Sequence, residues 1–178
     1  MALWPKRSSM SVVGKPRFQS VAALRGAHLQ YNLQTTEYGR ICFVQHDEAL
    51  VFLGFTNRAA DVIEPLGALW PVRQCARNRD LVLDFGAPPP LHLHGTSYQH
   101  RVWRALCDLK TGQSTSYGDL AAQLQSGARA IGGAVGANPI AWFVPCHRVL
   151  RKSGALGGYR WGLAVKRRLL ALENITTQ

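Results

Sequence analysis

Apolar and polar residues alternate through Leu29-Gln30-Tyr31-Asn32-Leu33-Gln34, the period of a half-buried strand. Two apolar runs follow, Ile41 to Val44 and Ala49 to Phe55, punctuated by Gly39 and by Asp47-Glu48. Three such runs at this spacing predict a small antiparallel meander. Asn57 to Glu64 and Val72 to Arg79 read as short helices, with Pro65 and Pro71 between them. Leu81 to Phe85 reads as a further short strand. Pro88-Pro89-Pro90 is the clearest linker in the chain and sets the expected boundary between a domain of residues 1–90 and one of residues 91–178.

The second part is patterned for helices. Thr96-Ser97-Tyr98-Gln99 has capping-box spacing, and Val102, Trp103, Leu106 and Leu109 then fall on one face. Ser116-Tyr117-Gly118-Asp119 can cap a short helix through Leu124. Ser126-Gly127 makes a turn, and residues 128–137 form a second short helix. Two short helices about a glycine turn read as a helix-turn-helix. The second helix is crowded with Gly132, Gly133, Gly136 and alanines. Glycine costs about 1 kcal/mol at an interior helical position, so a reason is needed. Tight helix–helix packing is one, and close approach to a nucleic-acid groove is the other. The expected fold class is α+β: a small antiparallel sheet with helices, then a helical domain holding a winged-helix-like helix-turn-helix and an active-site loop.

Charge adds a partner class. The net charge is +11, but residues 1–92 hold ten Lys/Arg against seven Asp/Glu, and residues 93–178 hold eleven against three. A cationic excess gathered in the second half attracts polyanions. The longest apolar run, Ala49 to Phe55, is far short of a membrane span, so no membrane partner is expected. The first nine residues read as a ragged basic leader without a signal-peptide core. The expected compartment is therefore the cytoplasm, or the nucleus of a eukaryote. Cys42, Cys75, Cys107 and Cys146 form no CxxC. Neither a disulfide framework nor a zinc site drawing on His92 and His94 is supported by spacing.

One stretch carries chemistry. Pro145-Cys146-His147-Arg148-Val149 follows Asn138-Pro139 and precedes a lone acid, Glu173, in a basic C-terminal helix. A free cysteine is most often an inert small hydrophobe, and neighbouring Cys and His side chains diverge on a strand. The order of surrounding segments raises the signal: Ser116-Tyr117-Gly118, Arg129-Ala130-Ile131-Gly132, Asn138-Pro139, the pentapeptide, Gly158-Tyr159-Arg160-Trp161-Gly162, then Leu169-Leu170 and Glu173. That order resembles the O6-alkylguanine-DNA alkyltransferases, and most closely the C-terminal alkyltransferase of the bacterial adaptive-response regulator. The strong match runs from about Gly95 to Glu173.

The resemblance implies a set of roles. Cys146 is the alkyl acceptor, its thiolate favoured by cationic or hydrogen-bonding neighbours. His147 is the base, acting through a water, and Glu173 orients it. Asn138 holds the Cys and His segments in register. Tyr117 donates to the departing base. Arg129, with Ala130 beside it, enters the minor groove and fills the stack left by a flipped nucleotide. Arg151 and Lys152 contact phosphates. Val144, Tyr159 and Arg160 form the substrate pocket, on a Gly-rich loop that is not a phosphate loop because no Gly-Lys-Ser/Thr follows. The same resemblance implies a ribonuclease-H-like first domain, no cofactor, no catalytic metal, and a monomer acting on double-stranded DNA that contains O6-alkylguanine. It implies single-turnover transfer, because a thioether has no easy route back to the thiol. The chain departs from the resemblance where Tyr117 and Arg129 stand only twelve apart, and where Gly136 replaces a second arginine.

Three rivals are separable. A damage sensor of the same architecture would lack the acceptor cysteine. A transcription regulator would want a larger, polar recognition helix for the major groove. A cysteine hydrolase would be revealed by acyl substrates.

Overall fold

The computed structural model describes residues 16–36, 39–71 and 73–178; the basic leader and Val72 lie outside them. The chain divides into two compact units, Met1–Thr96 and Ser97–Gln178.

In the first unit a strand, β1 (Arg17–Gln19), leads through a 3₁₀ turn into β2 (His28–Thr36), β3 (Gly39–His46) and β4 (Ala49–Phe55). These last three form the expected antiparallel meander. Every residue of β4 is buried, which is why it reads as a continuous apolar run rather than an alternating one. Helix α1 (Ala60–Leu69) passes straight through Pro65, where the sequence predicts an end. Val62, Leu66 and Trp70, four residues apart, are buried along one stripe, and that burial carries the helix past a proline costing about 3 kcal/mol.

Two expectations in this unit are corrected. Within the segment expected as a helix from Val72 to Arg79, residues 73–79 are not helical; Gln74–Arg77 forms β5, paired in parallel with β2 through Leu29 and Cys75. An open edge of β2 offers backbone partners that an isolated eight-residue helix could not supply. Leu81 to Phe85 is not a strand. Side-chain amides take the place of a ladder there: Asn32 Nδ2 donates to the carbonyls of Arg79 (3.1 Å) and Leu81 (2.9 Å), and Gln34 exchanges bonds with the Leu83 N–H and C=O, both at 3.0 Å. The sheet order is β4-β3-β2-β5, and β6 (His92–His94) pairs with β1. The residues just after the proline run are thus tied into the first unit.

The second unit opens with α2 (Ser97–Cys107), which buries Val102, Trp103, Ala105 and Leu106. A two-residue strand, β7 (Thr115–Ser116), leads into α3 (Tyr117–Gln123). Ser116 caps α3 as expected: its Oγ accepts from the Asp119 N–H at 3.0 Å and donates to Asp119 Oδ2 at 2.7 Å. Helix α4 (Ala128–Gly136) follows a turn whose Gln125 takes a positive φ of 51°. Three bonds fix this pair of helices on α2. Tyr98 Oη meets Ser126 Oγ at 2.7 Å, Arg101 Nη2 donates to the Leu124 carbonyl at 2.9 Å, and Trp103 Nε1 donates to the Ala134 carbonyl at 2.9 Å. Strand β8 (Val149–Leu150) pairs in parallel with β7, and α5 (Leu163–Leu172) closes the unit. Because α3 begins straight after β7, and β8 straight after the Cys146 segment, this short ladder brings Tyr117 beside Cys146.

Candidate active site

Cys146 does not sit on a strand, as the sequence reading implied. Cys146–Arg148 is a single 3₁₀ turn entered from Pro145. Its geometry buries three polar side chains in succession: Cys146, His147 and Arg148.

Asn138 organises this turn. Its Nδ2 donates to the Val144 carbonyl at 2.8 Å and to Cys146 Sγ at 3.0 Å, while its Oδ1 accepts from the Ile140 N–H at 3.0 Å. One buried amide thus spans the loop between α4 and the cysteine. Val144, expected in the substrate pocket, is instead fully buried and does not line the cavity. Its carbonyl serves as a fixed point for Asn138, because the chain turns there and its side chain points into the core.

Behind the cysteine lies an ionic chain. His147 Nε2 is 3.2 Å from Glu173 Oε1. Arg148 grips the same carboxylate twice, Nε to Oε2 and Nη2 to Oε1, both at 2.7 Å, and its Nη1 donates to the Leu109 carbonyl at 2.6 Å. These bonds outweigh burial and pull the Glu173 carboxyl down to about 2. An ionised carboxylate only accepts, so Nε2 of His147 must carry the proton. Nδ1, which meets no hydrogen-bond partner among the described residues, is then the free base. Burial, the largest influence, pulls the His147 pKa down and keeps the imidazole neutral.

The cysteine is tuned against its neighbours. Burial pushes the Cys146 thiol up, while the Asn138 amide, the Tyr159 hydroxyl and the Lys166 charge favour the thiolate. The net direction is upward, so the resting pair is thiol and neutral imidazole. The expected cationic and hydrogen-bonding neighbours are thus present, but desolvation at full burial exceeds what they return.

Cys146 and Asn138 open into a cavity of about 250 Å³. Helix α4 contributes Gly132, Val135 and Gly136; the loop before α5 contributes Gly158, Tyr159, Arg160 and Trp161; Tyr117 completes it. Burial pushes the phenols of Tyr117 and Tyr159 up, so both remain proton donors. Gly157, at φ +66°, lies against Tyr117, where a Cβ would come within 3.0 Å of the ring. The glycines of α4 tell a different story. Among the described residues, a Cβ on Gly132, Gly133 or Gly136 would meet no atom within 4 Å beyond its own stretch of helix, so packing against the other described elements does not require them. Arg129 and Ala130, on the first turn of α4, are exposed, as are Arg151 and Lys152. Among the described residues no cluster of three or more His, Cys, Asp or Glu could hold a metal, and no helix is long and apolar enough to cross a membrane.

Sequence reasoning missed two residues. Arg148 was noted only as a neighbour of the cysteine, yet it fixes Glu173. Lys166 was not singled out. It is fully buried, and its Nζ donates to the carbonyls of Val149 (2.7 Å), Leu156 and Gly158 (3.3 Å). Burial brings its pKa down to about 8. The signal was present: Lys166, Leu169, Leu170 and Glu173 share one helical face. Charged hydrogen bonds contribute about 1.5–3 kcal/mol each. Lys166→Met should therefore speed amide exchange across residues 151–160 and slow iodoacetamide capture of Cys146 by at least about tenfold. Unchanged exchange would remove Lys166 from the loop's support.

Fold and site together define a thiol-chemistry protein built on a helix-turn-helix. Residues 97–175 match the family described as 6-O-methylguanine DNA methyltransferase, DNA binding domain. The regulatory protein ada of Salmonella typhimurium is 44% identical over 164 residues, 82% of this chain and 45% of that protein. The methylated-DNA–protein-cysteine methyltransferase of Mycobacterium tuberculosis is 52% identical over 85 residues, 47% of this chain and 52% of that protein. The chain therefore spans about half the length of the curated relatives it matches. The crystal structure of the M. tuberculosis O6-methylguanine methyltransferase aligns with a TM-score of 0.63 at 33% identity, covering 82% of this chain and 92% of that one. The same protein in complex with DNA aligns at 0.64 and 31%. The chain belongs to the O6-methylguanine-DNA methyltransferase family.

Proposed function

We propose that this chain repairs double-stranded DNA by moving the alkyl group of O6-alkylguanine to Cys146 in a single turnover, and that O4-alkylthymine is a second substrate. The observation that carries the reading is the placement of Cys146 Sγ on the floor of a small cavity. Asn138 holds it, and a neutral imidazole backed by Glu173 and Arg148 lies behind it.

The Cys146 proton passes to Nδ1 of His147, relayed by one water because adjacent side chains do not face each other. The thiolate attacks the saturated carbon on O6. An S–C bond forms as the C–O6 bond breaks, and the electron pair leaves with the guanine. Tyr117, held as a phenol, donates to the departing base and lowers the barrier. Glu173 stabilises the imidazolium. The Tyr117 proton goes to the ring nitrogen of the leaving guanine anion and is replaced, through solvent, by the proton held on His147. The products are a thioether, a neutral guanine and a neutral imidazole, and the step balances without a cofactor. A cavity below the ~300–1,000 Å³ of drug-sized sites suits one flipped heterocycle, read by backbone groups at Arg160 and walled by Tyr159.

The helix α4 glycines support approach through the minor groove, since their open faces meet no other element among the described residues. Arg129 fills the gap left by the flipped nucleotide, Ala130 lies against the backbone, and Arg151 and Lys152 neutralise phosphates. The unit Met1–Thr96 serves as a ribonuclease-H-like support, and the protein acts as a monomer in the cytoplasm, or the nucleus of a eukaryote.

Intact-mass measurement after mixing with a duplex bearing one O6-methylguanine tests the reading. One added methyl, mapped to the Cys146 peptide, is expected; methyl on Cys42, Cys75 or Cys107, or none, would overturn it. Arg129→Ala should slow transfer from duplex at least tenfold more than transfer from the free modified base, which needs no flipping. Equal losses on both substrates would make Arg129 structural.

A further inference from the structure

Trp142 lies in the turn between Asn138 and Cys146, in a conformation that tryptophan rarely adopts. Its φ is +74°, and the Phe143 N–H donates to the Ala141 carbonyl across it at 3.0 Å. Positive φ with an i→i+2 bond marks the rare, strained form of the γ-turn. A bulky side chain there persists only where its surroundings over-determine it, and such strain gathers at functional sites. Here the surroundings are identifiable. Asn138 binds the backbone at Ile140 and at Val144, on either side of Trp142, and the Val144 N–H closes back onto the Ile140 carbonyl at 3.0 Å. The amide that holds Cys146 Sγ therefore also forces this turn.

The turn delivers an indole face to the imidazole. The rings of Trp142 and His147 are stacked, with centroids 5.7 Å apart and planes within 11°. Trp142 is itself buried. The charged groups that bear on His147 are Lys166 from α5, Glu173 at the C-cap of that helix, and Arg148 from its own turn. Two of these three are cations and oppose a positive imidazole, as does complete burial. Glu173 and the indole remain in its favour. An indole is the best aromatic face for a cation, and its effect is largest away from water.

Building on the assignment of His147 as proton acceptor, we propose that Trp142 is a positioning residue for the proton-transfer step. Its indole face fixes the plane of the His147 ring and stabilises the imidazolium that forms when Cys146 gives up its proton. The strain in the Ala141–Phe143 turn is the structural cost of placing that face.

Two readouts are chosen to be independent of DNA. One is the pH profile of iodoacetamide capture at Cys146, followed by peptide mass. The other is the midpoint of the His147 imidazole titration by NMR. Trp142→Leu should lower the midpoint and slow capture by about tenfold, while Trp142→Phe, which keeps an aromatic face, should stay within about threefold of the parent. Circular dichroism checks that each variant is folded. Should Trp142→Leu fail to fold, multiply fluorinated tryptophan preserves shape while withdrawing charge from the ring face. Incorporated into the parent it should reproduce the loss, and incorporated into Trp142→Phe it should add none. A folded Trp142→Leu, or a fluorinated parent, with the original midpoint and capture rate would overturn the proposal. Failure of alkyl transfer from O6-methylguanine DNA would instead count against the repair reading, because neither readout uses that substrate.

Discussion

Replacing Cys146 with alanine is expected to abolish alkyl transfer while duplex affinity stays within about threefold of the parent. The side chain lies at the back of the cavity and is only 6% exposed. It is too recessed to anchor a duplex, whereas the exposed cations of α4 and the Arg151–Lys152 turn are free to do so. Loss of the nucleophile leaves no substitute, because Cys146 alone among the cysteines lines the cavity and takes the Asn138 hydrogen bond, while Cys42, Cys75 and Cys107 lie elsewhere with their thiols pushed up by burial. The Asn138 amide keeps its bond to the Val144 carbonyl, so the loop should hold its shape. Single-turnover assays on an O6-methylguanine duplex and salt-dependent binding curves separate the two effects. Residual transfer above about 1% of the parent rate, or affinity lost in parallel with activity, would remove Cys146 from the role of acceptor.

Glu173→Gln is expected to cost about 3–5 kcal/mol of stability at neutral pH and to slow transfer by an order of magnitude or more. Removing one member of a buried ion pair leaves the other charge uncompensated, and Arg148 is buried with two of its bonds on this carboxylate. The pH dependence gives the sharper check. The Glu173 pKa in the folded protein is about 2, below its ordinary 4.5. The folded state therefore binds the proton less readily than the unfolded state. Its contribution, about 3 kcal/mol by linkage, is fully present above pH 4.5 and is lost as pH falls from 4.5 towards 2. In Glu173→Gln that acid-sensitive component should vanish, and the stability difference from the parent should shrink on acidification. Urea unfolding at pH 7 and pH 3 measures both. A variant as stable as the parent at pH 7, or one with the same acid slope, would show that the carboxylate is not ionised in a buried network.

The chemistry was legible in the residues because reacting groups must be specific residue types in a specific order. Cys146, His147, Asn138 and Glu173 were picked out because the order of their segments resembles that of the alkyltransferases, and the structure brings them together. The two short helices about Gly127 and the meander of β2, β3 and β4 were equally plain, since local periodicity and capping determine them. The misreadings have a common cause. β5 exists because β2 has an open edge, and Leu81 to Phe85 is tied down by the amides of Asn32 and Gln34 rather than by a ladder. Neither partner is near in sequence.

The sequence by itself determined most of the elements and the cationic second half, which depend on period and composition and are local. The candidate reacting side chains came from the order of segments that resembles the alkyltransferases. Only the tertiary structure decided that Val144 supplies a carbonyl rather than a pocket wall, that Arg148 and Lys166 are structural cations inside the site, and that Trp142 stacks on His147. It also decided the direction in which the thiol and imidazole are shifted. Each of those depends on burial and on distances between residues far apart in the chain. Desolvation and hydrogen bonding are properties of the packed interior, and no one-dimensional pattern carries them.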